Sequence, residues 1–120
     1  MVTSSDCLFC KIVAGDIPHD TVHETDTVLA FRDIAPRAAR HVLVIPKSHE
    51  DTLGQMAEGD PASVAELFTA AREVARLEGI EESGYRVVSN VGADAGQEVF
   101  HVHVHVLGGQ KLGPVGPGER

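Results

Sequence analysis

The sequence predicts one domain built from both β-sheet and helix. Three observations carry that reading: five segments show strand periodicity, one long segment shows helical periodicity, and 120 residues suffice for one core but not two. Residues 11–18 form at most a short helical turn, which Gly15-Asp16-Ile17-Pro18 breaks. Residues 21–25 and 28–34 read as two strands joined at Asp26-Thr27, a hairpin in which Phe31 and Asp33 share a face. Residues 41–45, His-Val-Leu-Val-Ile, are apolar nearly throughout and so read as a central strand, which Pro46 ends. His49 follows in the polar connection Lys47-Ser48-His49-Glu50, where a histidine on its own reads as surface.

Asp60-Pro61 marks the start of the long helix, with Asp60 as N-cap, Pro61 at the first helical position and Gly79 at the far end. Val64, Leu67, Phe68, Ala71, Val74 and Ala75 recur at three- and four-residue spacing as a core stripe, and Glu66, Arg72, Glu73 and Arg76 take the opposite face. Residues 85–90 are a fourth strand. The loop 91–97 follows, and its glycines can adopt positive φ and turn N–H groups inward as an anion nest. Residues 100–107 are the fifth strand. Beyond them 108–120, rich in Gly and Pro, form an extended C-terminal arm of the single domain 1–120.

With 18 acidic and 10 basic residues, the chain has a formal charge of −8, which argues against nucleic acid or an acidic membrane surface as partner. A small anion remains admissible if local donors receive it. No apolar run approaches the ~18 residues of a membrane span. Residues 1–6 lack the basic and apolar regions of a signal peptide, so a cytoplasmic protein is expected.

The chemistry concentrates in Phe100-His101-Val102-His103-Val104-His105-Val106-Leu107. Its period of two puts His101, His103 and His105 on one face, with successive Cα atoms roughly 6.6–6.8 Å apart, and sets Phe100, Val102, Val104 and Val106 on the other. Two chemistries suit such a face. One is a metal site of strand histidines. The other is covalent catalysis at phosphorus, since an imidazole with an ordinary pKa of ~6.5 is largely neutral at pH 7. Cys7 and Cys10, the only cysteines, have the spacing of a metal half-site, a redox pair or two buried thiols. Their place near the N-terminus favours metal over redox, and spacing alone does not say which histidines complete the site.

Gly96-Gln97-Glu98-Val99-Phe100-His101-Val102-His103-Val104-His105-Val106-Leu107-Gly108-Gly109 resembles the motif of the histidine-triad (HIT) proteins, most closely the Hint branch. Cys7-Leu8-Phe9-Cys10-Lys11-Ile12, Leu29-Ala30-Phe31-Arg32-Asp33-Ile34, 41–46 and 90–97 extend the resemblance over nearly the whole chain. It implies an α+β, HIT-like fold: a five-stranded antiparallel sheet with one long helix and a short helix, assembled as a homodimer through the long helix and a strand. It also implies a purine nucleotide site, with Phe9, Ile12, Phe31, Ile34 and Leu43 around base and ribose and Asp33 accepting from the ribose hydroxyls. Asn90, Gln97 and His103 would face the α-phosphate, with Gly96, Glu98 and His105 also lining the nucleotide. A carboxylate beside apolar Phe31 and Ile34 needs a donor pair, which a ribose diol supplies.

The implied reaction is hydrolysis of purine nucleoside phosphoramidates or related nucleotidyl conjugates, including AMP-lysine and dinucleoside polyphosphates. His103 is the implied nucleophile, its other ring nitrogen bonded to the His101 carbonyl, with His105 steadying phosphate oxygens and His41 supporting from the neighbouring strand. Similarity to bacterial members with an N-terminal Cys-x-x-Cys implies one structural zinc per chain at Cys7, Cys10, His49 and His101. That commits the His101 side chain to metal and leaves its backbone to orient His103. Glu98 departs from the family, many of whose members have Ser there, and a carboxylate at this point attracts cationic leaving amines and repels polyphosphate. A zinc-stabilised nucleotide-binding module with incidental turnover is the alternative, and a tri-histidine metal hydrolase a third.

Overall fold

The computed structural model describes residues 6–115, so the reading of the N-terminal residues 1–5 and of the end of the arm, 116–120, lies outside the described residues. In chain order the elements are α1 (Leu8–Val13), β1 (Thr21–Glu24), β2 (Val28–Arg32), β3 (Arg40–Pro46), α2 (Leu53–Gly59), α3 (Pro61–Leu77), β4 (Tyr85–Val88), a 3-10 turn (Ala93–Ala95) and β5 (Val104–Gly108). The strands make one antiparallel sheet in the order β1-β2-β3-β5-β4. The α+β architecture and its five-stranded antiparallel sheet are therefore as expected, with three α-helices where one long and one short were expected.

Alternation along β2, β3 and β5 divides the core in two. Val28, Ala30, Val42, Val44, Val104 and Val106 point to one face and pack against Leu67, Ala71, Val74 and Ala75 of α3. Leu29, Phe31, Leu43 and Ile45 point to the other and meet Phe9, Cys10 and Ile12 of α1. α3 begins as its sequence dictates: the Asp60 carboxylate accepts from Ser63 N at 3.3 Å and Pro61 opens the helix. Gly79, at φ 75°, follows the C-cap. Phe68, expected in the stripe, is 39% exposed at its margin.

Several boundaries differ from expectation for identifiable reasons. α1 starts at Leu8, earlier than the turn expected over 11–18, because the Cys7 thiol caps it by accepting from Cys10 N at 3.3 Å. α2 was not foreseen, since of its seven residues only Met56 is buried and no stripe forms. β2 stops at Arg32, so Ile34 lies beyond the ladder. The histidine strand begins at Val104 rather than 100, because Val102 N bonds Glu50 O at 2.8 Å instead of a neighbouring strand. Phe100, expected to pack with the valines, is 44% exposed. The arm starts one residue later than expected: Gly108 ends β5, and a Cβ there would come 2.7 Å from Ile80 Cδ1. Gln110 and Gly113 then bond back to Ala39 and Arg86. Among the described residues no helix is long and apolar enough to cross a membrane.

Candidate active site

The sheet face that α1 only partly covers carries the polar chemistry. Register puts Phe31 opposite Leu43, Leu43 opposite His105, and His105 opposite Val88, a row crossing four strands on one face. His41, opposite Leu107, lies two residues along on the same face. Above these rows opens a cavity of about 760 Å³, with His103 and His105 in its wall. Ring contacts trace its floor: His41 to His105 at 5.2 Å, His105 to His103 at 5.2 Å, His103 to Phe9 at 5.1 Å, and Phe9 to Phe31 at 5.8 Å. A second cavity of about 770 Å³, beside Ile80, Tyr85 and Lys111, has no histidine or cysteine in its wall.

Hydrogen bonding assigns each imidazole its tautomer, because a backbone carbonyl only accepts and a backbone amide only donates. His103 Nδ1 lies 2.9 Å from the His101 carbonyl, so Nδ1 carries the proton and Nε2 keeps its lone pair. The Arg37 amide donates to His41 Nδ1 at 3.0 Å, so the His41 proton is on Nε2. His41 Nε2–H is given to His105 Nδ1 at 2.9 Å, with the Asp33 carboxylate 3.5 Å away, and His105 is left with a donor at Nε2. The neighbouring rings of His103 and His105 in the cavity wall thus offer one lone pair and one N–H. Burial disfavours the charged form of His41 and of His105. It pushes His105 down to about 4, aided by His103 and His41, and lowers His41 against the opposing pull of Asp33.

Cys7, Cys10, His49 and His101 bring one donor atom each to within 4.8 Å of one another, a cluster that can hold a metal ion. His101 Nδ1 is 3.3 Å from Cys7 Sγ and 3.6 Å from Cys10 Sγ, and His49 Nδ1 is 3.4 Å from Cys10 Sγ. Tetrahedral coordination at bonds of about 2.0–2.3 Å produces donor separations of roughly 3.3–3.8 Å, so these residues fit. Both rings are also turned correctly. His101 Nε2–H donates to the Pro46 carbonyl at 2.8 Å and His49 Nε2–H to Asp51 at 2.8 Å, leaving each Nδ1 lone pair for the ion. Asp33, His41 and His105 also cluster, but there the Arg37 amide holds the proton of His41 on Nε2, the very atom that would have to bind the ion.

Of the expected nucleotide residues, Phe9, Ile12, Phe31, Asp33, Leu43, Asn90, Gly96, Glu98, His103 and His105 all line the cavity, as does His41. Ile34 lines it as well, but 98% exposed, so only an occupant would cover it. His101 lies outside the cavity, wholly buried beside the cysteines, and one nucleotide residue is placed otherwise than expected. Gln97 is buried behind the wall, where Oε1 accepts from Gly92 N at 2.8 Å and Nε2 donates to Asp51 O at 2.7 Å. The anion nest is also spent: the N–H groups of Gly92, Ala95, Gly96 and Gln97 all bond within the loop, despite φ of 89° at both glycines. His19 and Arg37 line the cavity too and were missed, because an isolated cationic or imidazole residue in a loop has no spacing partner to mark it.

A family model of the HIT domain matches residues 14–112. The chain belongs to the HIT family. A HIT-family relative, the purine nucleoside phosphoramidase of Escherichia coli strain K12, is 40% identical over 112 residues, covering 93% of this chain and 94% of the relative. A histidine triad protein from Clostridium difficile superposes with a TM-score of 0.91 at 41% identity, covering 96% of this chain and all of that one. A HIT family hydrolase from Clostridium thermocellum does so at 0.90 and 42%, covering 94% and 98%.

Burial of His105 has a measurable signature. NMR titration will show His105 taking its proton near pH 4 rather than near 6.5. The unfolded chain takes that proton near 6.5, so this group's contribution to stability is lost as pH falls from about 6.5 to about 4. A His105 ring that titrates near 6.5 contradicts the geometry.

Proposed function

We propose that this HIT protein hydrolyses purine nucleoside phosphoramidates through a nucleotidyl-histidine intermediate. The observation that carries the reading is the opposed pair in the cavity wall, a lone pair on His103 Nε2 and an N–H on His105 Nε2. His103 Nε2 attacks the α-phosphorus, the phosphorus–nitrogen bond to the leaving amine breaks, and the amine takes its proton from water at the cavity mouth. The attacking ring becomes cationic, and the His101 carbonyl on its Nδ1–H stabilises that charge. His105 Nε2–H meets the phosphate oxygen on which negative charge grows. The hydroxide left by that proton transfer then attacks phosphorus, the phosphorus–nitrogen bond to His103 breaks and returns the lone pair to Nε2, and the nucleoside monophosphate leaves. Asp33 accepts from the ribose hydroxyls, and Phe9, Ile12, Phe31, Ile34 and Leu43 enclose base and ribose.

Glu98, exposed at the cavity, favours amine leaving groups such as lysine over polyphosphate. His103→Ala is expected to lower kcat on an adenosine phosphoramidate by 10³-fold or more while AMP still binds. Glu98→Ser is expected to narrow the preference for AMP-lysine over a dinucleoside polyphosphate. Wild-type protein that binds AMP without turnover overturns the enzymatic reading in favour of a nucleotide-binding module.

The ion we assign to Cys7, Cys10, His49 and His101 is zinc, a structural ion that ties α1 to the residues preceding β5 and thereby holds the His101 carbonyl in place. Metal analysis of protein purified without added zinc should return about one equivalent per chain, and far less for Cys7→Ser. Equal metal content in both excludes the assignment.

A homodimer would cover β4, which among the described residues ends the sheet, and Phe68 and Leu77, which stand exposed on α3. Sedimentation equilibrium at micromolar concentration should give twice the chain mass, and a monomer mass contradicts this.

A further inference from the structure

His19 stands where neither the catalytic reading nor the metal cluster uses it. It lines the same cavity as the triad, but at the other end. From His103 the ring contacts run to Phe9, then to Phe31, and finally from Phe31 to His19 at 5.7 Å with the planes 67° apart. The sheet sets the scale of that path. His19 directly precedes β1, whose Thr21 pairs with Phe31, and β1 lies three strands from β5. At about 4.8 Å per strand the triad and His19 are separated by roughly 14 Å across the sheet. A nucleotide with its phosphorus at His103 and its ribose beside Asp33 directs its base toward β1.

Ile12, Ile17, Pro18 and Phe31 line the cavity with His19, and of the charged lining residues Arg32 is engaged by Glu78 and Asp33 lies beside His41. The orientation of His19 is pinned. Nδ1 lies 3.2 Å from the Ile17 carbonyl, which can only accept, so Nδ1 carries the proton and Nε2 bears a lone pair. Nε2 has no protein partner among the described residues. A base that covers this nitrogen with no donor of its own leaves a desolvated acceptor unpaired, whereas a base with an amino group satisfies it.

We propose that His19 determines base specificity, its Nε2 accepting a hydrogen bond from the exocyclic amine of an aminopurine such as adenine. The inference rests on the nucleotide reading above and adds to it the residue that selects the base. The test is equilibrium binding at pH 8, where imidazole is neutral, of AMP and of purine riboside 5′-monophosphate, which is AMP without its amine. Wild-type protein should bind AMP about two- to tenfold more tightly, the span of one neutral hydrogen bond. His19→Phe should bring the two affinities together while keeping the wall apolar, and His19→Gln, which again offers an acceptor, should restore part of the difference. An unchanged ratio in His19→Phe, or equal wild-type affinities, overturns the assignment of His19 and leaves the nucleotide site standing. Failure of wild-type protein to bind either nucleotide overturns both.

Discussion

The bond from His103 Nδ1–H to the His101 carbonyl, 2.9 Å long, is the constraint on which the proposed chemistry depends. An imidazole can offer a lone pair at one nitrogen only if its proton is held at the other, and a carbonyl, which cannot donate, holds it there without ambiguity. The same logic passes along the neighbouring strand. A backbone amide from Arg37 fixes His41, and His41 in turn fixes His105. The result is a lone pair on His103 beside an N–H on His105, the latter in a ring whose charged form burial disfavours. Antiparallel register between β3 and β5 makes this possible, because it brings side chains remote in sequence onto one face of the sheet.

The carbonyl at the centre of this arrangement belongs to a residue whose side chain has a different task. His101 turns its ring away from the cavity, toward Cys7, Cys10 and His49, and presents only its backbone to His103. α1 has six residues and is too short to persist alone. It is secured by the Cys7 cap, by the cysteine cluster and by Phe9, whose ring meets both His101 and His103. Gln97 extends the brace, tying the glycine loop to Asp51, which orients His49. The four-donor cluster and the cavity are therefore two ends of one packed unit. The His101 backbone is the link between the cysteines and the His103 ring.

Much of this was legible in the sequence where burial is periodic. β2, β3 and α3 have one face that must be covered, so their apolar residues recur at the period of the element, and Asp60-Pro61 marks the start of α3. The failures share a different origin. α2 buries one residue and leaves no pattern, while Ile34 and Phe100 are apolar residues that point outward, which neighbours in sequence do not reveal. Hydrogen bonds made over long sequence separations were invisible. Gln97 resembled a phosphate donor until its amide was found occupied, and the loop glycines had the right φ but spent their N–H groups internally. The division of labour among the triad histidines followed from the family resemblance, since alternation alone put all three on one face. His19 had no motif to announce it, and its contact with the Ile17 carbonyl and its place in the cavity wall emerge only in the fold.

The most direct test of the account is the protonation pattern of the imidazoles, read from two-bond and three-bond nitrogen–proton correlations in a uniformly nitrogen-15-labelled sample at neutral pH. The expected pattern is a proton on Nδ1 of His103 and on Nε2 of His41 and of His105. A His103 ring protonated at Nε2, or at both nitrogens, would leave no lone pair for phosphorus and would contradict it.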